Sequence, residues 1–325
     1  MKATISVIMP AYNTERYVSQ AIKSILQQSY PHFEFLIIDD GSTDRTPDIL
    51  QEYAKKDARI RVILQEHRGI SETLNRGIEE ARYDWIAIMH ADDIALPHRL
   101  ERQMQAAMTN PRVVAWGAYA YHISEKGKVL GLSKVGATSE EEFYTKRRNG
   151  EIIHLIHSTA FMRKEAVLRV GGYNSLFDGS EDLELFDRLS ELAPVLAIPE
   201  PLLLYRIHAS SVTLQRFFKM RTFTRFIRAR QRAKAEGREP PTWDEFIRVY
   251  ESASVFKQLR RKIDDLSQFY YRRFAVAVSS EHYFKGLLFF AISALLNPRY
   301  AVLKAWNQRF TKDARRALKN KFGSL

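Results

Sequence analysis

Three pairs of neighbouring acids stand out in the 325-residue chain: Asp39-Asp40, Asp92-Asp93 and Glu181-Asp182. Carboxylates hold hard divalent cations and accept protons, so such pairs suit metal-assisted transfer and general base catalysis. The first pair closes an apolar run and leads into Gly41-Ser42, the second follows Trp85 to Met89, and the third opens a helical pattern. Ligands of open α/β sheets collect at the carboxyl ends of strands, so acids at strand ends can converge on one crevice. Each pair also has an ordinary explanation. Asp before Gly-Ser is common turn chemistry, and acids in a first helical turn favour the helix dipole. Their joint order carries the functional reading, not any one pair.

The elements that would position these acids alternate between strand and helix over the first hundred residues, the pattern of a mainly parallel sheet with crossover helices. Ile5 to Met9 reads as a strand, and Val18, Ala21, Ile22, Ile25 and Leu26 recur at helical spacing behind an Asn13-Thr14 capping pair. Phe35 to Ile38 is a second strand, Thr46-Pro47 opens a helix in cap-then-proline order, with Thr46 as the cap, and Ile60, Val62 and Leu64 alternate as a third strand. Ile70, Leu74, Ile78 and Ala81 form a helical stripe, and Trp85 to Met89 is a fourth strand. Val113 to Tyr121 suggests a further strand, Ser139 to Asn149 a polar helix, and Gly171-Gly172 a turn. Leu183, Phe186, Leu189 and Leu192 or Ala193 make another helical stripe, while His154 and His157 bracket an expected strand. Past Thr213 the strand signals stop, so a domain over residues 1–213 is expected ahead of a helical region, 214–325, that Gly237 and Pro240-Pro241 divide.

With 45% hydrophobic residues the chain can fill a sizeable core, and the absence of cysteine excludes disulfides, thiolate metal sites and cysteine nucleophiles. The formal charge of +12 is uneven: residues 1–213 carry 25 Lys and Arg against 29 Asp and Glu, a net −4, whereas residues 214–325 carry 25 against 9, a net +16. An acidic partner is therefore expected to meet the tail. Phe284, Leu287, Leu288, Ala291, Ile292, Leu295 and Leu296 form an apolar stripe, which Tyr300, Leu303, Trp306 and Phe310 continue. Arg299, Lys304, Arg309, Lys312, Arg315, Arg316, Lys319 and Lys321 surround it, and Met220, Phe223, Phe226 and Ile227 repeat the arrangement among arginines. Such stripes either meet an anionic membrane surface or pack on the catalytic domain or a second subunit, which keeps a homo-oligomer in view. The longest strongly apolar run, Gly286 to Leu296, has 11 residues, well short of the roughly 20 that span a bilayer. The amino terminus reads as a first strand rather than a secretory signal. A cytoplasmic protein, peripheral on the inner face of the cell membrane, is the expectation.

The segments ISVIMPAYN, LIIDDGSTDRT and MHADDIALPHRLERQ, followed by HSTAFMRKEAVLRVGGYN, SEDLELFDRL and IPEPLLLYRIHASSVT, resemble in order and spacing glycosyltransferase family 2, inverting enzymes of the GT-A fold. The resemblance implies an α/β nucleotide-binding domain and transfer of a sugar from a nucleotide-sugar donor, UDP favoured, to a glycan or lipid-linked acceptor in cell-surface polysaccharide synthesis. It implies that Pro10, Ala11 and Tyr12 lie against the nucleotide base, that Asp40, beside Asp39, binds the uracil, and that Arg68 helps hold the nucleotide. Asp93 then reaches a divalent cation, Mn2+ or Mg2+, while Asp92 faces the ribose or donor sugar; Asp182 is the general base, and His208 stands near diphosphate and metal. Such a cation neutralises a departing diphosphate, and inversion in one displacement needs a carboxylate on the opposite face of the sugar.

The chain departs from the family at His90, where many relatives carry a further acid, and at His67, where asparagine is common. A strand-end histidine is more often structural than a ligand, and His157 divides evenly between structural service and contact with acceptor or phosphate. A nicotinamide enzyme or a sugar nucleotidyltransferase would need a glycine-rich loop after the first strand, and Met9-Pro10-Ala11-Tyr12-Asn13 contains no glycine. No nucleic-acid reading module is present. The alternative is a catalytically impaired GT-A-like protein that serves as a binding or assembly partner, against which the retained Asp93 and Asp182 speak.

Overall fold

The computed structural model describes residues 4–208 and 212–307. Its first stretch is built as β1 (Ile5–Ala11), α1 (Val18–Leu26), β2 (Phe33–Asp40), α2 (Thr46–Lys56), β3 (Ile60–Gln65), α3 (Ile70–Glu80) and β4 (Trp85–Ile88). These four strands are parallel: Ile5 pairs with Phe33 on one side and Trp85 on the other, and Phe35 pairs with Ile60. Strands β1, β2 and β4 are buried along their whole length, as crossover helices on both faces require. Edge strand β3 leaves Leu64 exposed. Helix α1 buries Val18, Ala21, Ile22 and Ile25, one face at helical spacing. Gly77 lets α3 lie directly on the sheet, since a Cβ there would fall 2.5 Å from Ile8 Cγ2 and 3.0 Å from Ile38 Cδ1.

Two local expectations are corrected. The Asn13-Thr14 pair does not cap α1, whose N-cap is Tyr17. Instead Asn13 Oδ1 accepts from the Thr43 amide, and the Thr14 amide donates to Thr46 Oγ1, so the pair ties the turn after β1 to the turn after β2. Likewise Thr46 is the first residue of α2, with Arg45 at the cap.

Next come β5 (Ile94–Ala95), α4 (Arg99–Thr109), β6 (Ala115–Ser124), β7 (Val129–Ser133) and α5 (Glu140–Arg148), the last capped by the Ser139 side chain. A 3-10 turn (His157–Thr159), β8 (Phe161–Arg163), α6 (Lys164–Arg169), a second 3-10 turn (Ser175–Phe177), α7 (Glu181–Leu192) and the 13-residue β9 (Val195–Ile207) follow. The sheet runs β3-β2-β1-β4-β8-β6-β9-β5, with β7 on β6. Past β4 the pairing turns antiparallel, with Ala87 opposite Phe161, Trp116 opposite Phe161, and Ile94 opposite Leu204. His154 and His157 do not bracket a strand, because residues 151–156 have no regular structure and His157 opens the 3-10 turn. In α7 the buried apolar face is Leu185, Phe186 and Leu189, leaving Leu192 exposed.

The rest is helical: α8 (Val212–Gln215), α9 (Phe217–Ala235), α10 (Trp243–Glu251), α11 (Val255–Ser279), α12 (Tyr283–Leu296) and α13 (Pro298–Asn307). The break at Gly237 to Pro241 falls between α9 and α10, and a Thr242–Glu245 capping box starts the latter. Phe223, Phe226 and Ile227 are buried, with Trp243 against both phenylalanine rings, so this stripe is interior and not a surface for a membrane. Asp265 of α11 accepts from Arg221 and Arg225 at 2.8 and 2.6 Å. Ser267 and Ser293 each donate to the other's carbonyl, which locks α11 to α12. The opposite side of α12 is bare: Phe284 and Leu295 are each 84% exposed, and Leu287 and Leu288 are exposed as well. Among the described residues no helix is long and apolar enough to cross a membrane. The Trp306 side chain, Phe310 and the bases from Arg309 to Lys321 lie outside the described residues.

The chain divides into two compact units, Met1–Ala120 with Ser133–Tyr205, and Tyr121–Leu132 with the chain from Arg206 onward. The short hairpin in the second unit is tied there by Arg206, which donates to the Glu125 carbonyl at 2.9 Å, and by a Lys126–Glu281 ion pair, also at 2.9 Å.

Candidate active site

At the carboxyl ends of β1 and β2 the chain builds a polar ledge. Ala11 pairs with Asp39 in the last register position of the two strands. Asp39 is 2% exposed; its Oδ2 accepts from the Ser42 amide at 3.1 Å, while its buried Oδ1 has no hydrogen-bond partner among the described residues. Asp40 is fully engaged. Its Oδ1 accepts from Gln65 Nε2 at 2.7 Å and the Arg68 amide at 2.8 Å, and its Oδ2 accepts from the Gly69 amide at 3.0 Å and lies 2.9 Å from His67 Nδ1. Amide donors aimed at a carboxylate are among the stronger hydrogen bonds, so Asp40 fixes the loop that carries His67 and Arg68. Gly41 permits this closeness: its φ is +74°, and a Cβ there would fall 2.8 Å from the His67 amide nitrogen. Tyr12, half exposed, stacks on His67 with ring centroids 4.3 Å apart. The Arg68 side chain is exposed. Pro10, Ala11, Tyr12, Asp39, Asp40 and Arg68 are thus brought together.

The second cluster follows β4. Ligand atoms of His90, Asp92 and Asp93 lie within 4.8 Å of one another, a nitrogen and two carboxylates that fit a divalent cation by donor chemistry. Beneath them Arg99 is wholly buried, donating to the Ile88 carbonyl at 2.6 Å and to Gln103 Oε1 at 3.1 Å. Burial lowers the Arg99 pKa to about 10, and the charge of Asp93 opposes that shift. Gln103 in turn donates to the Thr159 carbonyl at 2.6 Å. The segment that holds Asp93 therefore rests on a buried cation and a buried amide, which the sequence reading passed over; the i,i+4 spacing of Arg99 and Gln103 was the available signal.

A third group faces the second. His90 Nε2 lies 3.1 Å from His157 Nδ1, and His157 Nε2 lies 2.7 Å from the Tyr173 hydroxyl. The His90 pKa falls because of burial, against the pull of the Asp92 and Asp182 charges, so this ring is within electrostatic reach of both acids. Burial pushes Asp182 up, opposed by His154 and His90. Glu181, which accepts from the Gly179 amide at 2.6 Å, is raised to about 8 by burial and by the neighbouring Asp182 charge. Within the first unit Asp92, Asp93 and Asp182 thus share one neighbourhood. His208, one residue beyond β9, is buried and belongs to the second unit.

A mixed sheet with carboxylates at the ends of its parallel strands defines a GT-A glycosyltransferase fold, and solved structures agree. The Staphylococcus aureus TarS 1–349 fragment in complex with UDP is similar with a TM-score of 0.55 at 15% identity, over 91% of this chain and 91% of that one. The mannosyltransferase PcManGT of Pyrobaculum calidifontis, in complex with GDP-Man and Mn2+, gives 0.56 at 19% identity, over 100% and 89%. In sequence, residues 6–171 match glycosyl transferase family 2, and the chain belongs to that family. An uncharacterized glycosyltransferase of Haemophilus influenzae is 31% identical over 64% of this chain and 67% of its own length. The O-antigen biosynthesis glycosyltransferase WbnJ of Escherichia coli is 30% identical over 69% and 92%. Other curated relatives are matched over 40% to 77% of their length.

Proposed function

We propose that the chain moves a sugar from a nucleotide-sugar donor, UDP favoured as the carrier, to a hydroxyl of a glycan or lipid-linked acceptor, with inversion, in the synthesis of a bacterial surface polysaccharide. One observation carries this reading: at the end of β4 a nitrogen of His90 and carboxylate oxygens of Asp92 and Asp93 lie within 4.8 Å of one another, a donor set that fits a divalent cation. Support for the pathway comes from the relative named for O-antigen biosynthesis, and support for donor and metal from the neighbours bound to UDP and to GDP-Man with Mn2+.

In this reading Asp93, with Asp92 beside it, holds Mn2+ or Mg2+. Once bound, the cation offsets the charge that gathers on the departing diphosphate. Pro10, Ala11 and Tyr12 flank the base, Asp39 supplies an acceptor for it through the Oδ1 left without a partner, Asp40 beside it holds the loop of Arg68 in place, and Arg68 attracts the phosphates. Asp182, at the start of α7 and partly exposed, takes the proton of the acceptor hydroxyl, and the desolvation of its carboxylate raises its pKa above the ordinary value. Residues 1–213 carry out transfer, and the region 214–325 attaches the enzyme to an anionic membrane surface on the cytoplasmic side.

Calorimetry tests the central claim. UDP should bind weakly in chelator and at least about tenfold more tightly with Mn2+, a gain of about 1.4 kcal/mol, and Asp93→Ala should remove the difference. Equal affinity with and without metal, for UDP and GDP alike, would refute metal-dependent donor binding.

A further inference from the structure

His90 and its two buried partners are arranged as a ligand with its support. The ring nitrogen Nε2 faces His157 Nδ1 at 3.1 Å, so the nitrogen left for any other partner is Nδ1. His157 is held at its far side by the Tyr173 hydroxyl at 2.7 Å, and the His90 amide is anchored by Ser158 Oγ at 3.1 Å. The chain of rings has two possible directions. When His157 Nε2–H donates to Tyr173, His157 Nδ1 is an acceptor, His90 Nε2 must donate to it, and His90 Nδ1 carries a lone pair. In the other direction Tyr173 donates, His90 Nε2 accepts, and Nδ1 bears the proton. Only the first leaves a lone pair on the ring nitrogen that does not face His157, and a His90 ring nitrogen lies within 4.8 Å of ligand oxygens of Asp92 and Asp93. Metal-bound histidines usually donate their second ring N–H to an acceptor that fixes tautomer and orientation, and His157 backed by Tyr173 is such an acceptor.

We propose that His90 Nδ1 is a direct ligand of the cation at Asp92 and Asp93, that His157 and Tyr173 are positioning residues that select its metal-binding tautomer, and that the imidazole biases the site toward Mn2+ and Co2+ over Mg2+. The inference rests on the metal-dependent reading above and deepens it. Selectivity follows from donor type: all-oxygen sets suit Mg2+, which keeps its waters and dislikes nitrogen, while imidazole favours the later divalent ions. His90→Asp replaces this ring nitrogen with a carboxylate oxygen, so preference should move toward Mg2+ without loss of the site.

The decisive experiment is pulsed electron paramagnetic resonance of Mn2+ on the full chain with UDP and, separately, GDP. Nitrogen modulation from imidazole should be present in the wild type, persist in His208→Ala, and diminish in His90→Asp, whose Co2+-over-Mg2+ affinity ratio should also fall. Tyr173→Phe keeps the ring and removes the hydroxyl; it should weaken Mn2+ binding by about 10- to 100-fold while the melting temperature in chelator stays near that of the wild type. Modulation in His90→Asp equal to that of the wild type would overturn the ligand assignment alone, and unchanged Mn2+ affinity in Tyr173→Phe would overturn the relay. If the wild type takes up no Mn2+ with either nucleotide, the metal-dependent reading fails and this inference with it.

Discussion

Glu181 and Asp182 are adjacent, yet their surroundings give them different tasks. Asp182 is partly exposed at the head of α7, whereas Glu181 is buried and satisfied by the Gly179 amide. Asp182→Asn preserves size and loses the proton acceptor, so transfer should drop by about 10²- to 10⁴-fold while UDP affinity changes little. Turnover near wild type would move the base elsewhere. Glu181 makes a prediction about pH. Its pKa in the folded chain is about 8 against an ordinary 4.5, so between these values the folded chain keeps a proton that the unfolded chain releases. Stability from this group is therefore lost as pH rises through that window, and is unaffected below it, where both states are protonated. Glu181→Gln removes the ionisation, so its melting temperature minus that of the wild type should widen from pH 5 to 8.5; parallel curves would show that Glu181 ionises normally. The acid pairs were visible in sequence because neighbouring carboxylates at strand ends need no tertiary information. Asp40 was visible as a residue but not as the tie to the 66–69 loop, since its partners Arg68 and Gly69 lie nearly thirty positions away.

Pairing of β4 with β8 explains why the His90–His157 contact escaped the sequence reading. The two strands are antiparallel, so the end of β4 meets the beginning of β8, and residues 67 positions apart become neighbours. Periodicity that implies parallel crossovers gives no hint of this reversal. The 13-residue β9 was missed for a different reason: Pro199 and Pro201 lie inside it, and prolines demote a run that otherwise reads as a strand. Conversely, β1 to β4 and α1 to α3 were legible because their apolar spacing is unbroken, although the cap of α1 was not. Close packing of α3 on the sheet yields a prediction at this scale. An alanine in place of a helical glycine ordinarily gains about 1 kcal/mol, but at Gly77 the new Cβ meets Ile8 Cγ2 at 2.5 Å. Gly77→Ala should instead destabilise by about 1–3 kcal/mol in urea unfolding, and a more stable variant would mean that α3 can lift from β1 at little cost.

Across the whole chain, charge and apolar surface are unequally shared. Residues 1–213 carry a net −4, whereas residues 214–325 carry +16 and also the bare apolar face of α12 around Phe284, Leu287, Leu288 and Leu295. An apolar face in a stretch of sequence rich in bases suits an anionic membrane, where each base near the surface adds about 1 kcal/mol. The full chain should float with anionic liposomes at low salt, stay down with neutral ones, and come off in high salt; Phe284→Ser with Leu295→Ser should weaken flotation. If the wild type ignores anionic vesicles, a second copy of the chain becomes the better partner for α12. The hairpin residues Tyr121–Leu132 have a consequence of another kind. They belong with helices made much later, so during synthesis they leave the ribosome and then wait while residues Ser133–Tyr205 are added. At about 5–20 residues per second the delay is roughly 4–15 s. During that interval the nascent hairpin lacks the helices of its own unit, and it is the stretch of the newborn polypeptide on which a chaperone would have most to do.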